Sequence, residues 1–572
     1  MRLSDYIIDF FADRGVTDFF GYQGTMISYF VDAIARNERC TNHSCYNEQG
    51  AAFAACGSAQ ASGSLAVAYA TSGPGAVNLL SGVANAYYDS LPVVFISGQV
   101  NTYEYLPDSQ VRQHTFQEAD VVGMAQPVTK YASKITDPNK IRYELERACY
   151  EATSGRPGAV LLDIPMNIQR ADIDAEHLEG FTPPEKQASD PSSIAEHISE
   201  ALLQAKRPAF LVGNGIAPEA ARILSELANS HRIPIITSLL GRSRFSTEDP
   251  ANFGFLGGAY GHREANLIAA KKSDLLICLG ISMVSRQTGV KVDQFAQNAN
   301  AIWVDIDQTA FARTFASSLQ TYCADANAVI AALAEEPIPF FEEWFEVCEE
   351  CRRTLRSFDS SLPERKPNDL VHDMSELLHH CSAIASDVGQ HMMWVGQSFS
   401  SDEDQAMLYS GGHGAMGYAL PAAIGAYYRT RKTVCAIAGD GSFQMNPQEL
   451  AWVAREQIPL IYIVLNNRSL GMVRVQQKMY FESEFEGTSE GYHYSACDVA
   501  QIARAYGIPS KRICLGDPLD EVKEDLLGTG PFVLEVVLPE DSFAYPKTVL
   551  GCPIWDQSPR VSAETLEYLT SL

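Results

Sequence analysis

Ala438-Gly439-Asp440-Gly441-Ser442 closes an apolar run that begins at Val434, and Asn466-Asn467 closes the next such run, which begins at Ile461. Residues 447–456 between them carry a helical period, so the segment predicts a strand, a crossover helix and a second parallel strand. Such a unit delivers both polar clusters to the carboxyl ends of neighbouring strands, the side on which open α/β sheets bind ligands. Asp440 and Asn467 can then face one another. A carboxylate oxygen, a carboxamide oxygen and a nearby backbone carbonyl make part of an octahedron for Mg²⁺, which takes its other ligands from phosphate and water. The glycines let the backbone approach a phosphate closely, and Ser442 adds a donor. Gly-Asp-Gly alone is a common turn and Asn-Asn a common loop; their spacing across one βαβ unit turns the pair into a candidate site.

Upstream, Asp387-Val388-Gly389-Gln390-His391 directly follows a candidate strand, and Ser410-Gly411-Gly412-His413-Gly414-Ala415-Met416-Gly417 follows another. Gly389, Gln390 and His391 could donate hydrogen bonds to diphosphate oxygens, or simply form a strand-end turn. Nearer the amino end, Tyr46-Asn47-Glu48-Gln49-Gly50 opens a helix that continues with Ala51, Ala52, Phe53, Ala54 and Ala55. A Glu there either complements the helix dipole at the surface or sits in a buried helix end, where burial would raise its pKa. Ala70-Thr71-Ser72-Gly73-Pro74-Gly75-Ala76-Val77-Asn78 reads as a tight strand-to-helix turn.

The remaining chain fits this reading. Its 572 residues suggest three or four domains at roughly 150 residues each. Lys and Arg number 43 against 70 Asp and Glu, a net charge of −27 that argues against a nucleic-acid surface. The 13 scattered cysteines include a single CxxC spacing, Cys348/Cys351, with no second pair to complete a zinc site, and suit a reducing compartment. The amino end opens as an amphipathic helix rather than a signal peptide, and no uncharged apolar run reaches the ~18 residues of a membrane helix. The expectation is a cytoplasmic enzyme without a membrane or nucleic-acid partner.

Short Val/Ile/Ala-rich runs alternate with helical segments in three blocks, which predicts an α/β protein of three consecutive doubly wound parallel-sheet domains. The first, 1–175, has candidate strands at 19–20, 65–70, 93–97 and 159–163. A polar, proline-containing linker over 174–191 leads to the second, 190–335, with strands at 209–212, 233–237, 275–279 and 301–304. A connecting helix with one buried face is expected between Pro337 and Pro367. The third block, 368–540, has strands at 383–386, 406–408, 434–438, 461–465 and 532–537, and could share its fold with the first. The tail, 541–572, shows no strong period.

These motifs resemble the thiamine-diphosphate enzymes, and from about residue 3 to 540 the chain is most similar to the acetolactate synthase (acetohydroxyacid synthase large subunit) group. The resemblance rests on the stretches above together with Asp89-Ser90-Leu91-Pro92-Val93-Val94, Gly98-Gln99-Val100, Phe116-Gln117-Glu118-Ala119-Asp120, Ser154-Gly155-Arg156-Pro157-Gly158, Asp163-Ile164-Pro165 and Asn466 to Val473. It implies a pyrimidine-binding first domain, a central domain and a diphosphate-binding third domain. Asp440, Asn467 and the Ser469 carbonyl would ligate Mg²⁺. Val388, Gly389, Gln390, His391, Gly441, Ser442, Gly471, Met472 and Val473 would cradle thiamine diphosphate. Met416 would wedge the cofactor into a V, and the Gly414 carbonyl would accept from its amino group. Ser72, Gly73, Pro74 and Asn78 would line the pyrimidine side, where Glu48 would share a proton with the ring nitrogen.

The implied reaction is loss of CO2 from a 2-oxo acid, with pyruvate the expected donor, and attack on a second carbonyl. Phe116 and Gln117 would line the substrate space. Arg286 matches an arginine that pairs with the acceptor carboxylate, though a surface role stays open. Because first and third domains grip opposite ends of the cofactor, the resemblance implies a homodimer or homotetramer. Gly213-Asn214-Gly215, Leu279-Gly280 and Val304-Asp305-Ile306-Asp307 resemble a flavin-holding domain, which leaves FAD open, since Ser282 and Ser285 replace an Arg and an Asp.

Departures cluster around the acceptor. Gln23-Gly24-Thr25 stands in place of Pro-Gly-Gly, Asn47 in place of a His, Met166 in place of a Lys and Gln476 in place of a Trp, while the tail differs, with Lys547 and Trp555. These departures favour an aldehyde or a keto sugar as acceptor; the further alternatives are a simple 2-oxo acid decarboxylase and a homologue without activity.

Overall fold

In the computed structural model, which describes residues 1–104, 111–184, 189–316 and 318–572, three six-stranded sheets follow one another along the chain. All their strand pairs are parallel. With strands numbered along the chain within each sheet, the first and third share the order 2-1-3-4-6-5. The central sheet runs 6-5-4-1-2-3, the doubly wound order of dinucleotide-binding folds read from its other edge.

Every strand expected from an apolar run is present. Five further strands complete the sheets, Thr41–Ser44, Tyr131–Lys134, Asn252–Phe255, Ser318–Cys323 and Ser510–Cys514, and all five lie at sheet edges. The connecting helix is Glu342–Ser360, with Trp344, Phe345, Cys348, Cys351 and Leu355 buried along one face. The tail departs from expectation: Lys547–Thr548 pairs with Gln557–Ser558, and a helix runs over Ala563–Ser571. Its Leu569 is fully buried against Leu267, Cys351 and Leu355, a local anchor too small to register as a sequence period.

One apolar core joins the first and third sheets, whereas the central sheet has its own. The join is a crossing of the helices Glu48–Ser62 and Ala419–Thr430. At Gly57 an added Cβ would lie 2.1 Å from the Ala422 carbonyl oxygen, and at Gly425 it would lie 1.8 Å from that of Ala54. Only glycine allows two backbones this close. The helix that starts at Glu48 is capped by the Asn47 side chain, which accepts from the Gln49 N–H at 2.8 Å, and in its first turn an added Cβ on Gly50 would lie 2.6 Å from Glu449 Oε1 of the third domain.

Candidate functional site

In the third sheet the strand order reverses between Ala383–Ser386 and Val434–Gly439, which are hydrogen-bonded neighbours, and Leu460–Asn466 pairs with the far side of Val434–Gly439. The residues following these three strands, 387–391, 440–442 and 467–473, consequently emerge together at a topological switch point. They line a cavity of ≈ 460 Å³ that also takes in Gly414 and Met416. Val388, Gly389, Gln390 and His391 form one wall, Asp440, Gly441 and Ser442 a second, and Asn467, Ser469, Gly471, Met472 and Val473 a third.

Asp387, fully buried, staples two of these segments. Its Oδ1 accepts from the N–H of Val388 at 2.8 Å and of Gly417 at 2.9 Å, and its Oδ2 from Ala419 at 2.8 Å. Burial pushes this carboxyl up to about 6, and the backbone donors pull it back. Met416 is thereby held at a fixed place in the cavity wall.

The cavity has the polarity a diphosphate and a cation need. Both side-chain polar atoms of Gln390 and the Nε2 of His391 are buried without a partner, which costs free energy unless a ligand completes them. Burial pushes the His391 imidazole down to about 3, so the ring is neutral near pH 7 and can hand one N–H to a phosphate oxygen. An added Cβ on Gly441 would lie 2.4 Å from Leu470 Cδ2, so the backbone there borders the cavity with no room for a side chain. Asp440 accepts from the Tyr494 hydroxyl at 2.6 Å, with the backbone N–H groups of Ser469 and Asn467 also directed to it. Burial raises Asp440 to about 6, a cost that a bound cation would remove. One carboxylate among carboxamide and carbonyl oxygens fits Mg²⁺. Ser442 fits the phosphate role less well, because its hydroxyl already donates to the Val388 carbonyl at 3.0 Å.

A second cluster forms on the first domain. Asn78 Nδ2 donates to Glu48 Oε2 at 3.0 Å, and an added Cβ on Gly75 would lie 3.0 Å from Glu48 Oε1. Gly73 approaches Gln117 equally closely, and the Ser72 hydroxyl is buried without a partner; Pro74 opens the helix Pro74–Tyr88. Glu48 is half-buried in the single chain, not enclosed as its small apolar neighbours suggest. Those alanines face the crossing with the third domain, while Glu48 stands on the open side of the helix start. No residue of this cluster lines the ≈ 460 Å³ cavity. Arg286, from the central domain, does line it, and its Nη1 donates to the Gly411 carbonyl.

Several groups that shape the site carry no motif of their own. Glu449 accepts from the Tyr46 N–H at 3.2 Å through each carboxylate oxygen and so holds the turn ahead of Glu48. Tyr494 is equally silent in sequence, and although Asp89 and Asp387 lie in motifs, the backbone groups they hold are not legible there, because each acts on partners tens to hundreds of residues away. In the central domain, Arg244 donates to Asn214 Oδ1 at 3.2 Å while its buried Nε has no partner. Among the described residues no helix is long and apolar enough to cross a membrane.

Three family models match the chain: thiamine pyrophosphate enzyme N-terminal TPP binding domain over 1–124, central domain over 195–333, and C-terminal TPP binding domain over 387–536. The chain is 34% identical to a probable acetolactate synthase large subunit of Methanocaldococcus jannaschii, over 94% of this chain and 92% of that protein. It is 34% identical to the acetolactate synthase isozyme 2 large subunit of Escherichia coli, over 96% and 97%. Identity to an acetolactate synthase of Arthrospira platensis is 33%, over 95% of each.

Proposed function

Because the chain belongs to the acetolactate synthase large-subunit family of thiamine pyrophosphate enzymes, we propose that it decarboxylates pyruvate and joins the remaining two-carbon unit to a second 2-oxo acid. The observation that carries this reading is the switch-point cavity, where the orphaned polar atoms of Gln390 and His391 lie beside the single carboxylate of Asp440. When bound, thiamine diphosphate supplies the electron sink that lets a 2-oxo acid release CO2.

The chain's own residues do the rest. Asp440, Asn467 and the Ser469 carbonyl hold Mg²⁺, and Gln390 and His391 bind the diphosphate. Met416 and the Gly414 carbonyl set the position of the pyrimidine. Glu48 holds a proton at the pyrimidine ring nitrogen, and Arg286 orients the acceptor through its carboxylate. Residues 1–175, 190–335 and 368–540 are then the pyrimidine, central and diphosphate domains, with 541–572 a tail packed on the central one.

In this reading Glu48 comes from a second copy of the chain, since among the described residues nothing from the first domain lines the cavity of its own chain. Phe116, 78% exposed, together with Tyr22, Tyr46 and Val77 gives the Glu48 face an apolar surface that suits such a contact. A homodimer is the minimum, and a homotetramer doubles it. The orphaned Arg244 Nε beside Asn214 fits an anionic group such as the diphosphate of FAD; the reaction has no redox step, so a flavin there would brace the central domain. Thirteen cysteines without a disulfide suit the cytoplasm.

The test is incubation of the purified protein with thiamine diphosphate, Mg²⁺ and pyruvate. Stoichiometric CO2 and acetolactate are expected; acetaldehyde alone would favour the simple decarboxylase, and no CO2 a homologue without activity.

A further inference from the structure

Beside the cofactor cavity lies a second one of ≈ 300 Å³, walled by the central domain on one side and the tail on the other, with Met479 of the third domain between them. Ala259 and Arg286 line both, so the two spaces meet at the arginine assigned to the acceptor. The second cavity also contains Lys291 and Lys547, and among the described residues no Asp or Glu lines it. Three cations and no carboxylate is a marked local excess in a chain of net charge −27.

Nor are these cations neutralised by one another's neighbours. Among the described residues Lys547 Nζ meets the Met479 thioether at 3.7 Å and the Tyr260 ring at 5.8 Å, both poor substitutes for an anion. Lys291 Nζ donates to the Gly551 carbonyl at 2.6 Å, which leaves two of its three N–H bonds free. Arg286 spends one N–H on Gly411, and its nearest balancing charge, Asp89, is itself engaged by the Gly411 and Gly412 amides. Lys547 is held in place because its strand, Lys547–Thr548, pairs with Gln557–Ser558.

We propose that this annex is an anion subsite for the far end of the acceptor, so that the enzyme favours carbonyl acceptors carrying an anionic group remote from the reacting carbonyl, a phosphate or a carboxylate. The inference rests on the carboligase reading above and adds an acceptor class to it. The reacting carbonyl lies in the cofactor cavity, Arg286 stands at the junction, and Lys547 and Lys291 receive the tail. Charge-assisted hydrogen bonds to such a tail raise both affinity and selectivity, because an uncharged tail gains none of them.

The experiment supplies pyruvate as donor to the holoenzyme with two acceptor pairs: 2-oxobutyrate against 2-oxoglutarate, and glyceraldehyde against glyceraldehyde 3-phosphate. CO2 and cross-product are followed separately. In at least one pair the tailed acceptor should show about 10- to 100-fold higher kcat/KM, and the pair that responds tells carboxylate from phosphate. The ratio should collapse towards one in Lys547→Met and persist in Lys547→Arg. Steady CO2 release with both ratios near one, or a ratio unmoved in Lys547→Met and in the double variant Lys291→Met/Lys547→Met, would overturn the subsite and leave the carboligase reading standing. Absence of CO2 from pyruvate would remove both.

Discussion

Asp89, at the end of a helix in the first domain, accepts a hydrogen bond from the backbone N–H of Gly412 at 2.5 Å, across 323 residues of sequence. Its other oxygen accepts from Gly411 at 3.1 Å, and neighbouring Asn85 accepts from the Ser410 hydroxyl at 2.5 Å. The glycine loop that carries Gly414 and Met416 into the cofactor cavity is thus positioned by the domain that carries Glu48, within one chain. The same clamp supports Arg286, whose guanidinium donates to the Gly411 carbonyl.

Asp89 is almost fully buried, and burial pushes its carboxyl up to about 7 against the pull of the two glycine amides. A raised carboxyl pKa means that the folded protein keeps a proton the unfolded chain has lost, so this group's contribution to stability falls as pH rises from about 4 to about 7. Asp89→Asn has no such titration. Its unfolding free energy relative to the parent should improve steadily across that window in denaturant titrations. Its thiamine diphosphate affinity should nevertheless be weaker at pH 8, where the parent carboxylate is charged and holds the loop. A pH-independent stability difference would dismiss the assignment.

The central strands were legible because they are buried on both faces and read as unbroken apolar runs: Val434–Gly439 and Leu460–Asn466 are buried at every position. Ser318–Cys323 and Ser510–Cys514 are edge strands with mostly exposed side chains, so their composition matches that of a loop. Asn252–Phe255 is buried but only four residues long and interrupted by Gly254. The site followed the same division. Asp440, Asn467 and Gln390 were readable because short motifs sit at the ends of central strands. Glu449, Tyr494 and the glycine partners of Asp89 are not, since these pairings are fixed only by tertiary packing. The surroundings of Glu48 are not legible from its neighbours: the alanines bury the helix against the third domain without enclosing its first carboxylate within the single chain.

The Gly425 contact sets two effects against each other. Helix propensity alone would make Gly425→Ala stabilising by about 1 kcal/mol. The new methyl, however, would lie 1.8 Å from the Ala54 carbonyl oxygen, against backbone that cannot rotate away. Overpacking of this kind costs on the order of 1–3 kcal/mol, so net destabilisation and a lower Tm are expected. A Tm equal to or above that of the parent would show that the helices Glu48–Ser62 and Ala419–Thr430 can separate freely.

Gln390 offers a test in which stability and binding move in opposite directions. Its two polar atoms are buried without partners, and an unmet buried polar group costs roughly 1–3 kcal/mol. Gln390→Met keeps the shape and removes that cost. The ligand-free protein should therefore unfold at the same or a higher temperature, while calorimetric affinity for thiamine diphosphate with Mg²⁺ drops by about tenfold or more. Lower stability with unchanged affinity would place Gln390 in the scaffold.

The two clusters also predict rescue in trans. Glu48→Gln removes the proton from the first-domain cluster and Asp440→Ala removes the only carboxylate proposed for Mg²⁺, so each homogeneous variant should lose at least 10²-fold in turnover. In a mixed dimer one site inherits both changes and the other neither. Random reassociation of equal amounts therefore restores about a quarter of the parent activity, since half the dimers are mixed and each holds one intact site. Co-expression with distinguishable tags, followed by assay of the doubly tagged species, gives the same answer at about half the parent activity per dimer. Mixed dimers as inactive as either variant would mean that Glu48 and Asp440 serve a cofactor within one chain, and the apolar face around Phe116 would then need another explanation.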